Sequence, residues 1–76
     1  MNRVIQRIAS DLKCPAAALT RETTLDELAV DSFRFVHIML GIEDYFMVRV
    51  PEGEIARLET IGDIAETVEG LINELS

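Results

Sequence analysis

Ser32 stands directly after an aspartate in the stretch E-L-A-V-D-S-F-R-F, residues 27–35, where the patterning marks the start of a helix. A nucleophilic serine needs a base within hydrogen-bond reach and donors for an oxyanion. The single histidine, His37, lies five positions on and well around a helix from Ser32, and no G-x-S-x-G elbow surrounds the serine. One cysteine, Cys14, one histidine and scattered acids do not make a zinc ligand set, and no segment matches a calcium loop. The adjacent Glu43 and Asp44 read as a solvated rim, and there is no glycine-rich phosphate loop. These residues do not describe an enzyme. A serine without a base can instead accept a group attached by another protein. A helix N-terminus suits a covalently held phosphate, because its free N–H groups and dipole stabilise negative charge by ~0.3–1 kcal/mol. Asp31 would cap that helix, its carboxylate accepting from the N–H near Arg34. Position alone fits an ordinary cap at least as well.

Length and charge bound what must hold these residues in place. Seventy-six residues make one domain, 1–76, near the lower limit for folding without metals or disulfides. Apolar residues are 49% of the chain, enough for a small core and too many for a disordered tail. No apolar run approaches the ~18 residues of a membrane span, and MNRVIQRIAS lacks the uninterrupted apolar segment of a signal peptide. The start at Met1 reads as a free-standing protein. A lone Cys14 forms no internal disulfide, which suits a reducing cytoplasm. Fourteen acids against seven bases give a net charge of −7, which would repel nucleic acid. Basic protein surfaces are the natural partners of such a chain.

Periodicity predicts helices nearly throughout. Val4, Ile5, Ile8 and Leu12 give a first helix from about Asn2 to Leu12, stopped before Pro15. Ser32 to Met47 forms a central helix, and Pro51 opens a short helix through about Leu58, weakened by Gly53. Ile61, Ile64, Ala65, Val68, Leu71, Ile72 and Leu75 make the last stripe, with Thr60 and Asp63 resembling a capping box. The expected fold is all-α: a small four-helix bundle with a long loop after helix 1 and a short third helix. That loop, Lys13 to Asp31, is unusually long for so small a domain. Leu19, Leu25 and Leu28 would pin it to the core, and Thr24 with Glu27 would cap a single turn within it.

The central helix carries two apolar faces. At about 100° per residue, Phe35, Ile38, Met39, Ile42 and Phe46 cluster on one side, which predicts the core face. Phe33, Val36, Leu40 and Met47 form a second strip centred about 130° away. One small bundle can hardly bury both, so this strip is expected to be a docking surface beside Ser32, rimmed by Glu43 and Asp44. A helix buried nearly all round under the long loop is the alternative.

The ordered set of these residues resembles the acyl carrier proteins and their aminoacyl and peptidyl relatives. Leu28-Ala29-Val30-Asp31-Ser32-Phe33 stands where that family has L-G-x-D-S-L, and Ile42-Glu43-Asp44-Tyr45-Phe46 resembles its L-E-E-x-F. Val50-Pro51 and Thr60-Ile61 match its I-P and the start of its last helix, so the resemblance spans essentially the whole chain. The resemblance implies 4′-phosphopantetheine on Ser32, transferred from coenzyme A by a phosphopantetheinyl transferase, with Asp31 positioning magnesium during transfer. The arm's thiol would hold an acyl group as a thioester, shuttled between acyl-loading and acyl-using enzymes. Phe33, Val36 and Leu40, with Arg34, His37 and Met47, would then be the partner contact. A shuttling carrier is expected to be a monomer.

Departures from the family pattern sharpen the expectation. Ala29 replaces a glycine, which makes φ > 0 less accessible before Asp31. Phe33 is bulkier than the common leucine, and Arg34 and His37 occupy positions that are often acidic in fatty-acid carriers. Arg49, Tyr45 and Met47 push in the same direction. The expectation is a specialised carrier in a dedicated acyl, lipid or secondary-metabolite pathway. A stand-alone aminoacyl or peptidyl carrier is the nearer alternative, and an unmodified helical adaptor the more remote one. A fatty cargo would enter between the helices past Phe35, Ile38, Met39, Ile42 and Ile61, residues that plain core packing explains equally well.

Overall fold

The computed structural model describes residues 3–75 and carries four α-helices among them: α1, Arg3–Leu12; α2, Ser32–Phe46; α3, Glu52–Ile55; and α4, Ile61–Leu75. The expected start of the first helix at Asn2 lies outside the described residues, as does the side chain of Leu75. α1 packs against both α2 and α4. Val4, Ile5, Ile8 and Ala9 of α1 meet Ile38, Met39 and Ile42 of α2 and Ile61, Ile64, Ala65 and Val68 of α4 in one buried cluster. Leu19, Val48, Val50 and Leu58 close that cluster from the connections. The all-α bundle expected from periodicity is the architecture.

The long connection is more ordered than its length suggests. A 3-10 turn, Ala16–Ala18, follows Pro15. Thr24 and Glu27 then cap a turn reciprocally: Glu27 N–H donates to Thr24 Oγ1 at 3.1 Å, and Thr24 N–H reaches Glu27 Oε1 at 3.4 Å. This turn ends with Ala29 N–H donating to Asp26 O and Val30 N–H to Leu25 O, with Ala29 at φ 56°. Those two bonds and that dihedral are the Schellman arrangement, whose left-handed position usually falls to glycine. Ala29 adopts the conformation that its side chain was expected to discourage.

The same connection is clipped onto the start of α4. Ile61 N–H donates to Thr23 O at 2.9 Å, Gly62 N–H to Arg21 O at 2.9 Å, and Leu25 N–H returns to Glu59 O at 3.0 Å. Asp63 N–H is capped by Thr60 Oγ1 at 3.0 Å, while Asp63 Oδ2 accepts from Thr60 and Glu59 N–H, each at 3.1 Å. The amide groups that a helix start leaves without partners are thus satisfied by loop carbonyls and a capping box.

Two boundaries differ from expectation. α2 ends at Phe46, because Met47 turns left-handed at φ 56° and its N–H returns to Glu43 O. The short helix stops at Ile55 rather than near Leu58, and Leu58 folds into the core as part of the following turn.

Candidate functional site

Asp31 has extended backbone and is the N-cap of α2, its Oδ1 accepting from Arg34 N–H at 2.8 Å. The bond forms as the sequence suggests: an aspartate ahead of an apolar run satisfies one of the helix's orphan donors. Phe35 N–H donates to Asp31 O at 2.8 Å, which starts the helical ladder. The N–H groups of Ser32 and Phe33 make no hydrogen bond among the described residues. Ser32 therefore sits exposed in the first turn, beside free amides at the positive end of a fifteen-residue helix.

An open cleft of about 420 Å³ lies against Ser32, lined by Thr24, Leu25, Asp26, Val30, Asp31, Phe35, Leu58 and Glu59. The capped turn supplies one wall and the residues just before α4 the other. Sequence patterning did not single out this cleft, because its walls meet through the backbone bonds between Leu25 and Glu59 and between Thr23 and Ile61. Of the residues expected to line a cargo cavity, only Phe35 reaches it. Ile38, Met39, Ile42 and Ile61 are at most 2% exposed and pack the core.

The two faces of α2 separate as the projection requires. Ile38, Met39 and Ile42 are buried, and Phe35 and Phe46 half-buried against them. On the second strip Phe33 is 84% exposed, Val36 53% and Leu40 60%; Met47, expected to continue it, is 84% exposed but turns off the helix end and borders a recess with Arg3, Gln6 and Arg7 of α1. Arg34 and His37 are exposed in the first two turns of α2, on the side of the strip away from Ser32. His37 does not line the cleft of the serine; it borders a separate recess with Asp11, Asp31, Phe33, Arg34 and Ile38. Glu43, expected on the rim of the strip, lies beside Leu40 and Asp44 and is half-buried, its Oε2 accepting from Val50 N–H at 2.8 Å. Asp44 stays exposed.

Among the described residues no group of three His, Cys, Asp or Glu side chains is placed to hold a metal. No helix among them is long and apolar enough to cross a membrane.

Comparison with known proteins agrees with this geometry. Residues 2–68 match the family model described as the phosphopantetheine attachment site. An acyl carrier protein of Saccharopolyspora erythraea is 31% identical over 75 residues, covering 97% of this chain and 79% of that protein. The meromycolate extension acyl carrier protein of Mycolicibacterium aurum is 30% identical over 60 residues, covering 79% of this chain and 62% of its own length. The crystal structure of an acyl carrier protein from Thermotoga maritima superposes with a TM-score of 0.81 at 20% identity, over 97% of this chain and 87% of that one, a likeness of fold. With the attachment-site model covering most of its length and the bundle matching in three dimensions, the chain belongs to the acyl carrier protein family, whose cofactor is 4′-phosphopantetheine.

Proposed function

We propose that Ser32 is the attachment residue for 4′-phosphopantetheine and that the protein carries acyl groups between enzymes without catalysing their reactions. The observation that carries this reading is the pairing of an exposed Ser32 with a capping Asp31 at the free-amide end of α2. In the transfer, Ser32 Oγ forms a phosphodiester with the phosphopantetheine half of coenzyme A, the pyrophosphate bond breaks, and adenosine 3′,5′-bisphosphate leaves. The hydroxyl proton leaves to the transferase, so the carrier needs no base of its own. The arm's terminal thiol supplies the thioester chemistry when attached.

The residues present fit that group. The N–H groups of Ser32 and Phe33, without partners among the described residues, would be available to a phosphodiester charge at this helix end. Asp31 uses only Oδ1 for the cap, which leaves Oδ2 to position magnesium during transfer. Phe33, Val36, Leu40 and Met47, flanked by Arg34 and His37, form the contact surface for the transferase and for acyl-loading and acyl-using enzymes. The relative named for meromycolate extension favours acyl over aminoacyl cargo in a dedicated lipid pathway. Cytoplasmic localisation and a monomeric state belong to the same reading.

Trypsin supplies a direct test, because cleavage after Arg21 and Arg34 releases Glu22–Arg34 with Ser32 inside it. In protein purified from its own cells, that peptide should carry one phosphopantetheine, with fragment ions placing it on Ser32 rather than on Thr23 or Thr24. An unmodified peptide throughout would contradict the reading.

A further inference from the structure

Away from Ser32, α1 and the end of α2 enclose a recess whose charge runs against that of the chain. It is open, about 660 Å³ in volume, and bordered by Arg3 and Arg7 of α1, Tyr45, Phe46 and Met47 at the end of α2, and Ile72 of α4. The other residues that line it, Gln6 and Ser10, are neutral. The recess therefore carries two guanidinium groups and no carboxylate, in a chain of net charge −7. Asp11 and Glu69, the acids that neighbour these arginines, border other recesses, and Asp11 is paired with Arg7 at 3.5 Å. Both guanidinium groups lie over rings of α2: Arg7 is 4.8 Å from the Tyr45 centroid and Arg3 is 5.9 Å from that of Phe46. A planar cation held on an aromatic face is already oriented, so it loses less freedom when a carboxylate binds.

Exposed apolar residues and the arginine spacing define the occupant. Tyr45 is 61% and Met47 84% exposed, and Arg, Tyr and Met are residue types that protein contacts favour. Arg3 and Arg7 stand one turn apart, about 6 Å along α1, which is also the spacing of carboxylates at i and i+4 of a second helix. We infer that this recess docks an amphipathic helix of a partner protein, with two carboxylates set against Arg3 and Arg7 and an apolar residue against Tyr45 and Met47. A second copy of the chain and an anionic membrane surface are both repelled by the net charge of −7. Phe46 lies fourteen residues beyond Ser32, about 21 Å along α2, so the docked helix leaves the serine uncovered. The recess then tethers the protein to an assembly while Ser32 stays open to enzymes. That tethering role rests on the carrier reading; the docking itself does not.

The test uses the unmodified, isotope-labelled full chain and two helical amphipathic peptides of about 15 residues. The peptides share one Leu/Phe face, flanked at i and i+4 by Glu in the first and by Lys in the second. Amide shifts are followed at about 0.15 M ionic strength. The Glu peptide is expected to move the amides of residues 3–10 and 45–48 and to leave those of 31–36 in place. It should bind about tenfold more tightly than the Lys peptide. Arg3→Glu should weaken the Glu peptide about tenfold while the core amides stay unshifted. Arg34→Glu, about 16 Å from Tyr45 along α2 and beyond the ~8 Å screening length, should leave that affinity unchanged. Shifts confined to residues 32–40, or equal or tighter binding of the Lys peptide in the recess, overturn the inference. So do an affinity that Arg3→Glu leaves unchanged, an equal loss on Arg34→Glu, or no shift from either peptide at about 1 mM. Peptide-free, concentration-dependent shifts of residues 45–48 would identify a second copy of the chain as the occupant and would also overturn it. Neither peptide needs a group on Ser32, so failure here leaves the attachment intact, and an unmodifiable Ser32 leaves this readout intact.

Discussion

The carbonyl oxygen of Arg21 accepts a 2.9 Å hydrogen bond from Gly62 N–H, and a Cβ added to Gly62 would lie 2.7 Å from that same oxygen. The loop that leads to Ser32 is thus held on α4 by a backbone approach that only glycine permits. Gly62→Ala should destabilise the protein by about 1–3 kcal/mol, the cost of overpacking a site that cannot relax. Gly70 makes the control: nothing lies within 4 Å of its added Cβ. As an interior residue of α4, it should give about 0.5–1 kcal/mol of stabilisation on Gly70→Ala. Urea midpoints of the two variants are expected to move in opposite directions.

Ala29 holds φ 56° at the left-handed position of the turn before Asp31. An L-residue there costs about 1–2 kcal/mol, partly offset by the lower freedom of alanine in the unfolded chain. Ala29→Gly should therefore raise stability by about 0.5–1 kcal/mol, measured by urea denaturation, with the Asp31–Arg34 cap unchanged. A loss of stability would mean that the alanine side chain contributes packing that its exposure does not suggest.

Asp31 is assigned two roles that substitution can separate. Asn caps a helix about as well as Asp, whereas Ala does not, at a cost of about 1 kcal/mol. Asp31→Asn should hold stability within about 0.5 kcal/mol and still slow the magnesium-dependent transfer onto Ser32. Asp31→Ala should lose on both measures. Denaturation midpoints and the rate of mass gain, taken on the same preparations, give the comparison.

Legibility of the fold and the site in the sequence varies by residue. The stripes of α1 and α4 and the Thr60–Asp63 capping box were legible because they rest on local spacing. Exposure of Phe33, Val36, Leu40 and Met47 followed from geometry, since one small bundle cannot bury both faces of α2. The clip between Arg21–Leu25 and Glu59–Gly62 was not legible, because backbone bonds between segments distant in sequence leave no side-chain pattern. For the same reason the cleft beside Ser32 leaves no pattern in the sequence. The bond from Val50 N–H to Glu43 Oε2 was not legible either, because Val50 N–H comes within reach only where Met47 turns left-handed.

Asp63 gives the fold a defined acid sensitivity. Hydrogen bonds from the N–H groups of Glu59 and Thr60 hold its carboxyl below the ordinary value of 3.8. A depressed carboxyl in the folded state contributes stability that is fully present above the unfolded value and is lost as pH falls through the folded one. The melting-temperature difference between the native chain and Asp63→Asn should thus be constant from pH 7 to 5 and shrink below about pH 4. Thermal melts across that range test it; a gap that persists unchanged at pH 3 would remove Asp63 as its source.

The claim on which the rest depends is that Ser32 is an attachment point. Intact mass after incubation with coenzyme A, magnesium and a broad-specificity phosphopantetheinyl transferase tests it most directly, with Ser32→Ala alongside. The native chain is expected to gain one phosphopantetheine and Ser32→Ala none. An unchanged native mass, or an equal gain in the alanine variant, would contradict it.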